Sequence, residues 1–118
     1  MGVIDDMFSI VSSDAQQTVV ELHADHLVFQ AHFPGNPIMP GVCIVHMISR
    51  LTEKRVGHSL VLHKVVNLKF IAPISPASEP VLTIDFSAID LAETEVKVRG
   101  IISAGERIVT KFSIIYKK

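Results

Sequence analysis

An apolar run that begins near Pro40 or Gly41 constrains this chain more than any other feature. Val42, Cys43, Ile44, Val45, Met47, Ile48 and Leu51 surround most of a helix's circumference, the pattern of a helix buried on nearly all sides. A chain of 118 residues can bury such a helix only by wrapping a sheet around it. Proline is tolerated at a helix's first turn, where its missing N–H would be unpaired anyway, and the free amides there point back toward the preceding loop. Glu53, Lys54 and Arg55 mark the exposed end, and Gly57 is the stop signal. The polar exceptions His46, Ser49 and Arg50 stand three and four residues apart and share one stripe.

The segment before the helix is equally unusual. His32 is followed by three prolines and two glycines within ten residues. Prolines fix φ and remove backbone donors, while glycines reach conformations closed to other residues, so the loop is rigid and shaped.

Elsewhere the chain reads mainly as strands. Val3, Ile4, Met7, Phe8 and Val11 have helical spacing, which predicts a short amphipathic helix ending near Ser12 and Ser13 that packs as a lid on the sheet. Gln17 to Ala24 alternates and predicts a strand, with Val28 to Gln30 a short extended piece. Leu60 to Ile71, Val81 to Ile89, Glu95 to Ile102 and Ile108 to Tyr116 predict four more strands, and Ser103 to Glu106 a hairpin turn. Pro73 to Pro80 cannot continue a central strand and is a loop. The expectation is an α+β fold: one domain over 1–118, an antiparallel sheet wrapped around one long central helix.

Composition narrows the partners. A formal charge of -1, with lysines and glutamates interspersed, gives no basic stripe and argues against nucleic acid. No apolar run reaches membrane-spanning length, and Met1 to Val11 carries Asp5 and Asp6 rather than a basic leader. The single cysteine, Cys43, excludes an internal disulfide and reads as a small buried hydrophobe. A cytoplasmic setting is the expectation. His23, His26 and His32 have no recognised zinc spacing, so no metal site is expected.

The stretch HFPGNPIMPGV at 32–42 resembles the signature of the hotdog-fold 3-hydroxyacyl-ACP dehydratases of fatty-acid synthesis, and Val66-Asn67-Leu68-Lys69-Phe70, followed by Pro73, resembles the strand after their helix. The resemblance implies a hotdog fold, with dimers whose sheets join edge to edge, active sites at the dimer interface, and higher oligomers of dimers. The implied substrate is a 3-hydroxyacyl thioester on the phosphopantetheine arm of an acyl carrier protein. No cofactor is implied.

Loss of water from such a thioester needs a base for the α-proton, a donor for the developing enolate oxygen, and an acid for the departing hydroxyl. His32 matches the family's histidine, the candidate base, and the Phe33-Pro34-Gly35 segment would hold it in place. The Gly41 amide matches the donor to the thioester oxygen. Phe33 and Met39 are candidates to line an acyl tunnel or to pack in the core, Pro34, Gly35 and Val42 are further substrate-binding candidates, and Arg50 and Lys54 are placed to attract the arm's phosphate. The chain departs from the family at His46, where the commonest members carry glutamate or aspartate. Three readings follow: His46 replaces the acid, this chain works beside a partner subunit in a heterodimer, or the site only binds an acyl chain. A fourth is a structural histidine satisfied by hydrogen bonds. The chain also resembles some dehydratase-like hotdog proteins of polyene pigment and specialised-lipid pathways, which can lack the usual carboxylate. Thioester hydrolysis, which the fold also hosts, is the rival chemistry.

Overall fold

The computed structural model describes residues 7–32, the last three as backbone, and 38–118. The elements run β1 (Phe8–Ser13), β2 (Gln17–Leu22), α1 (Leu27–His32), α2 (Gly41–Val56), β3 (Val61–Phe70), β4 (Val81–Leu91), β5 (Glu95–Ala104) and β6 (Arg107–Lys117). All six strands join one antiparallel sheet in the order β1-β2-β4-β5-β6-β3. This is the hotdog arrangement, with α2 lying along the inner face.

Period-two alternation builds the core. Val20 and Leu22, then Leu82, Ile84 and Phe86, Val96 and Val98, and Phe112, Ile114 and Tyr116 are buried in one cluster with Cys43, Ile44, Met47, Ile48 and Leu51 of α2. Close approach of β4 and β5 depends on Gly100, where an added Cβ would meet the Asp85 carbonyl oxygen at 2.2 Å and Phe112 Cζ at 2.7 Å. The missing side chain leaves room for the edge-to-face pair of Phe86 and Phe112, whose centroids are 6.1 Å apart.

The boundaries of α2 follow the expected signals. Pro40 is the N-cap, its carbonyl accepting from the Cys43 and Ile44 amides at 3.0 and 3.1 Å, and Gly57 closes the helix in the left-handed region at φ 85°. The hairpin between β5 and β6 turns at Gly105, φ 63°, as the sequence predicts.

Four expectations are corrected. Residues 8–13 form a strand, not the end of a helix: they pair with β2 from Phe8 opposite Leu22 to Ser13 opposite Thr18, and strand pairing outweighs the weak helical spacing. The start of that predicted helix lies outside the described residues. Val28 to Gln30 lies in α1 rather than in an extended piece. Burial of Phe29 anchors this short helix, and the His26 Nδ1 atom accepts from the Val28 amide at 3.0 Å, an imidazole serving as the cap.

Finally, α2 is not buried on nearly all sides. The sheet covers one side of it, and Val42 on the other flank is 65 % exposed. Glu53 is half-buried rather than exposed, because its carboxylate accepts from the Leu60 amide at 2.8 Å and Arg50 at 3.0 Å, tying the helix end to the start of β3.

Candidate functional site

Two edges of structure meet at the N-terminus of α2. The Met39 amide donates to the Ile74 carbonyl at 2.8 Å, which fixes the approach to the helix against the loop after β3. Pro40 and Gly41 then turn into the helix beside Phe70, the last residue of β3. A Cβ on Gly41 would lie 3.1 Å from Phe70 Cζ and 3.3 Å from Cε2, so glycine allows the ring to close over the helix start. Met39, Pro40, Gly41, Ile44, Phe70 and Ile74 line a depression of about 390 Å³ there. A helix begins with amides that have no intrahelical acceptor, and its dipole favours negative charge at that point. An apolar depression that ends on such amides suits a thioester or acyl carbonyl.

The exposed flank of α2 leads away from this point. Val42, His46 and Ser49 follow one another along it at helical spacing. Ser49 donates to the Val45 carbonyl and shares a 2.9 Å hydrogen bond with the Tyr116 hydroxyl, which places this flank over β6. Burial pushes the Tyr116 phenol above its ordinary pKa, against the opposing pull of its Ser49 bond. Because β3 pairs outside β6, with Leu62 opposite Tyr116, Val65 opposite Ile114 and Leu68 opposite Phe112, these β3 side chains share the sheet face that carries the core. Leu62, Val65 and Phe70 are between 40 and 51 % exposed. His46 is half-buried on its flank of α2, between Val42 and Ser49.

Of the residues singled out from the sequence, Gly41 and Met39 come together at the depression, while Val42 and His46 follow on the adjoining flank. The backbone of His32 closes α1; Phe33, Pro34 and Gly35 lie outside the described residues. Arg50 and Lys54 belong to a separate and larger depression of about 890 Å³, lined also by Phe8, Glu53 and His58. It opens at the far end of α2, about 20 Å from Gly41 at 1.5 Å per residue, and volume alone does not associate it with the helix N-terminus. Cys43 is fully buried and its thiol is pushed up by burial, which is the behaviour of a packing residue rather than a nucleophile. His23 bonds the Ser9 hydroxyl at 2.7 Å, and no group of three metal-ligating side chains occurs among the described residues. Sequence reasoning missed Phe70 and Tyr116 as site neighbours, since only strand register brings them to α2.

Comparison with known proteins adds an independent finding. The family described as ApeI-like, ApeI dehydratase, matches residues 9–106. The 3-hydroxyacyl-[acyl-carrier-protein] dehydratase FabZ of Wolbachia pipientis is 33% identical over 96 residues, covering 75% of this chain and 66% of that protein. The chain spans about half the length of the first curated relatives it matches. Among solved structures, the dehydratase heterocomplex ApeI:P from Xenorhabdus doucetiae superposes with a TM-score of 0.64 at 16% identity, covering 94% of this chain and 98% of that one. Zebra fish thioesterase superfamily member 2 gives 0.66 at 9% identity, covering 97% and 83%. These two share the fold. No helix among the described residues is long and apolar enough to cross a membrane.

Proposed function

Because the chain belongs to the ApeI-like dehydratase family, we propose that it removes water from 3-hydroxyacyl thioesters carried by an acyl carrier protein, giving 2-enoyl thioesters. The observation that carries this reading is the helix start at Gly41, which ends an apolar depression and stands one turn from His46 on an open flank. The thioester carbonyl accepts from the Gly41 amide, and the acyl chain lies against Met39, Val42 and Phe70. His32 takes the α-proton, with Phe33, Pro34 and Gly35 as the loop that positions it. As the C–H electrons form the new double bond, negative charge on the carbonyl oxygen is held by the helix N-terminus. His46 gives its proton to the departing 3-hydroxyl, which leaves as water. The histidines end with exchanged protonation, so a two-histidine site needs one proton returned before the next cycle.

We place a second subunit along β3. Val61, Leu62, Val65, Val66 and Phe70 on this edge strand are 40 to 67 % exposed, and the depression at Gly41 is bordered by Phe70 at its end. A partner strand would pair the edge and cover that end, in keeping with a dimer whose site lies at the interface. The free, buried Cys43 suits a reducing, cytoplasmic setting.

A second reading follows from the likeness to a heterocomplex: the chain is one subunit of a mixed dimer, and the other subunit supplies the acid that His46 replaces. Conversion of 3-hydroxyacyl-ACP to 2-enoyl-ACP by the purified protein separates the two. Turnover by this chain alone, lost in His32→Ala and in His46→Ala while folding persists, supports the self-sufficient dehydratase. A folded protein that turns over no chain length by itself refutes that reading and favours the mixed dimer.

A further inference from the structure

The sheet has a second face, turned away from α2, and strand register concentrates charge on it. With Phe112, Ile114 and Tyr116 facing inward, β6 presents Lys111, Ser113, Ile115 and Lys117 outward. Lys69 of β3 stands directly opposite Lys111, Arg99 of β5 opposite Ser113, and Lys64 and Lys97 flank Ile115 from its two sides. Six of the chain's eleven lysines and arginines therefore share this face, against four carboxylates, Glu21, Asp85, Asp90 and Glu95. The face is net positive on a chain whose formal charge is -1.

Lys117 is bridged to Glu95 at 2.9 Å. Among the described residues, none of Lys64, Lys69, Lys97, Arg99 and Lys111 forms an ion pair, and all five are exposed. Like charges directly opposite on neighbouring strands destabilise a sheet, so the Lys69 and Lys111 pair does not serve the fold. Amid these cations lies a depression of about 380 Å³ lined by Val66, Asp90, Lys97, Arg99, Ser113 and Ile115. Val66 reaches it because the ladder of β3 skips a residue between Val65 and Asn67.

We infer that this outer face of β3, β6 and β5 docks the acidic surface of a partner protein and, on the reading proposed above, that this partner is the carrier protein bringing the thioester. Cations around a hollow that mixes Val66 and Ile115 with Ser113 and Asp90 match a mainly acidic protein surface that carries a few apolar side chains. Asp85 and Asp90 interrupt the positive field, and no Phe or Tyr of β4, β5 or β6 stands on the face to stack a base, which disfavours a nucleic acid. Position adds a further argument. Lys69 precedes Phe70, whose ring covers Gly41, so a partner seated on this face lies beside the end of β3 that borders the candidate site.

The experiment is a fluorescence-anisotropy titration of labelled apo acyl carrier protein, which has no arm to anchor in the site, with the whole protein at low and high salt. The Lys97→Glu, Arg99→Glu, Lys111→Glu triple variant is expected to weaken binding by about tenfold or more and to abolish its salt dependence. Should charge reversal perturb folding by circular dichroism, Lys97→Gln with Lys111→Gln is expected to give a smaller loss of the same kind. Carrier binding that is absent, or that is unchanged in variants and in salt, overturns the inference. A labelled single-stranded oligonucleotide that binds more tightly than the carrier, and is lost in the same variants, also overturns it. Charge-dependent carrier binding without turnover of any 3-hydroxyacyl thioester supports docking while refuting the self-sufficient dehydratase.

Discussion

Replacing Gly100 with alanine tests how rigid the meeting of β4 and β5 is. The new Cβ would stand 2.2 Å from the Asp85 carbonyl oxygen and 2.7 Å from Phe112 Cζ, whereas ordinary contact begins near 3.4 Å. Relief requires β4 to retreat by about 1.2 Å in a close-packed interior. Phe86 and Gly100 are ladder partners, so that retreat weakens cross-strand hydrogen bonds worth about 1 kcal/mol each. Phe112 cannot yield freely either, because it packs edge-to-face on Phe86, which also carries the Arg55 guanidinium 4.5 Å from its ring centroid. Overpacking adds about 1–3 kcal/mol, and the entropic gain of alanine over glycine returns about 0.4–1 kcal/mol. The net expectation is a loss of about 3 kcal/mol. Urea unfolding at fixed protein concentration measures it, as a fall of about 2 M in midpoint at an m-value near 1.5 kcal/mol/M. A loss below about 1 kcal/mol with unchanged m would refute the reasoning, since it would mean that the strand backbone absorbs the methyl group. Gly105→Ala is the comparison: no atom lies within 4 Å of its Cβ position, and only the left-handed backbone is strained, by about 1 kcal/mol.

Gly41→Pro removes the amide donor at a first helical position that tolerates proline, so it should have the opposite signature, stability within about 1 kcal/mol because the half-exposed Phe70 ring can give way, yet a loss of 3-hydroxyacyl-ACP turnover of about a hundredfold if the amide holds the oxyanion; full activity would dismiss that amide from the mechanism. Tyr116 and Cys43 both have folded-state pKa values raised by burial. Their contribution is therefore complete below the unfolded values, near 8.5 for the thiol and about 10 for the phenol, and is lost as pH climbs through the folded values. Thermal melts should thus fall from about pH 9 upward, less steeply in Tyr116→Phe, and an equal slope in that variant would remove the phenol from the explanation. Native Cys43 should resist a thiol reagent that labels it at once in denaturant; rapid labelling of the folded protein would contradict its burial. Leu62→Glu with Val65→Glu should shift sedimentation toward the monomer by removing apolar contact at the β3 edge, and an unchanged oligomer would place the subunit contact elsewhere.

Much of this was legible in the sequence where a single period governs a long segment. Strands β4, β5 and β6 alternate over most of their length, and Pro40 and Gly57 bracket α2 with chemistry that is local to each position. The misread segments are short and depend on remote partners. Phe8 and Val11 fit a helical period and a strand equally well over so few residues, and pairing with β2 decides between them. The helix α1 survives on the burial of Phe29 and the His26 cap, neither visible in a run of Val, Phe and Gln. Register hid the most. Interspersed charges suggested no basic stripe, yet alternation throws Lys97 and Arg99 to one side of β5, and pairing sets Lys69 beside Lys111. Likewise Tyr116 reaches Ser49 only because the last strand lies under α2.

The irregular pairing at the two rims of the sheet bears on how far association can go. Register slips between Leu62 and Lys64 and between Val65 and Asn67 in β3, and between Ile10 and Ser12 in β1. A straight, apolar rim is a template on which copy after copy can add, the route to fibres. Each slip bends and over-twists its strand, so only a partner with matching curvature can zip along it. Addition of copy after copy along either rim is thereby disfavoured.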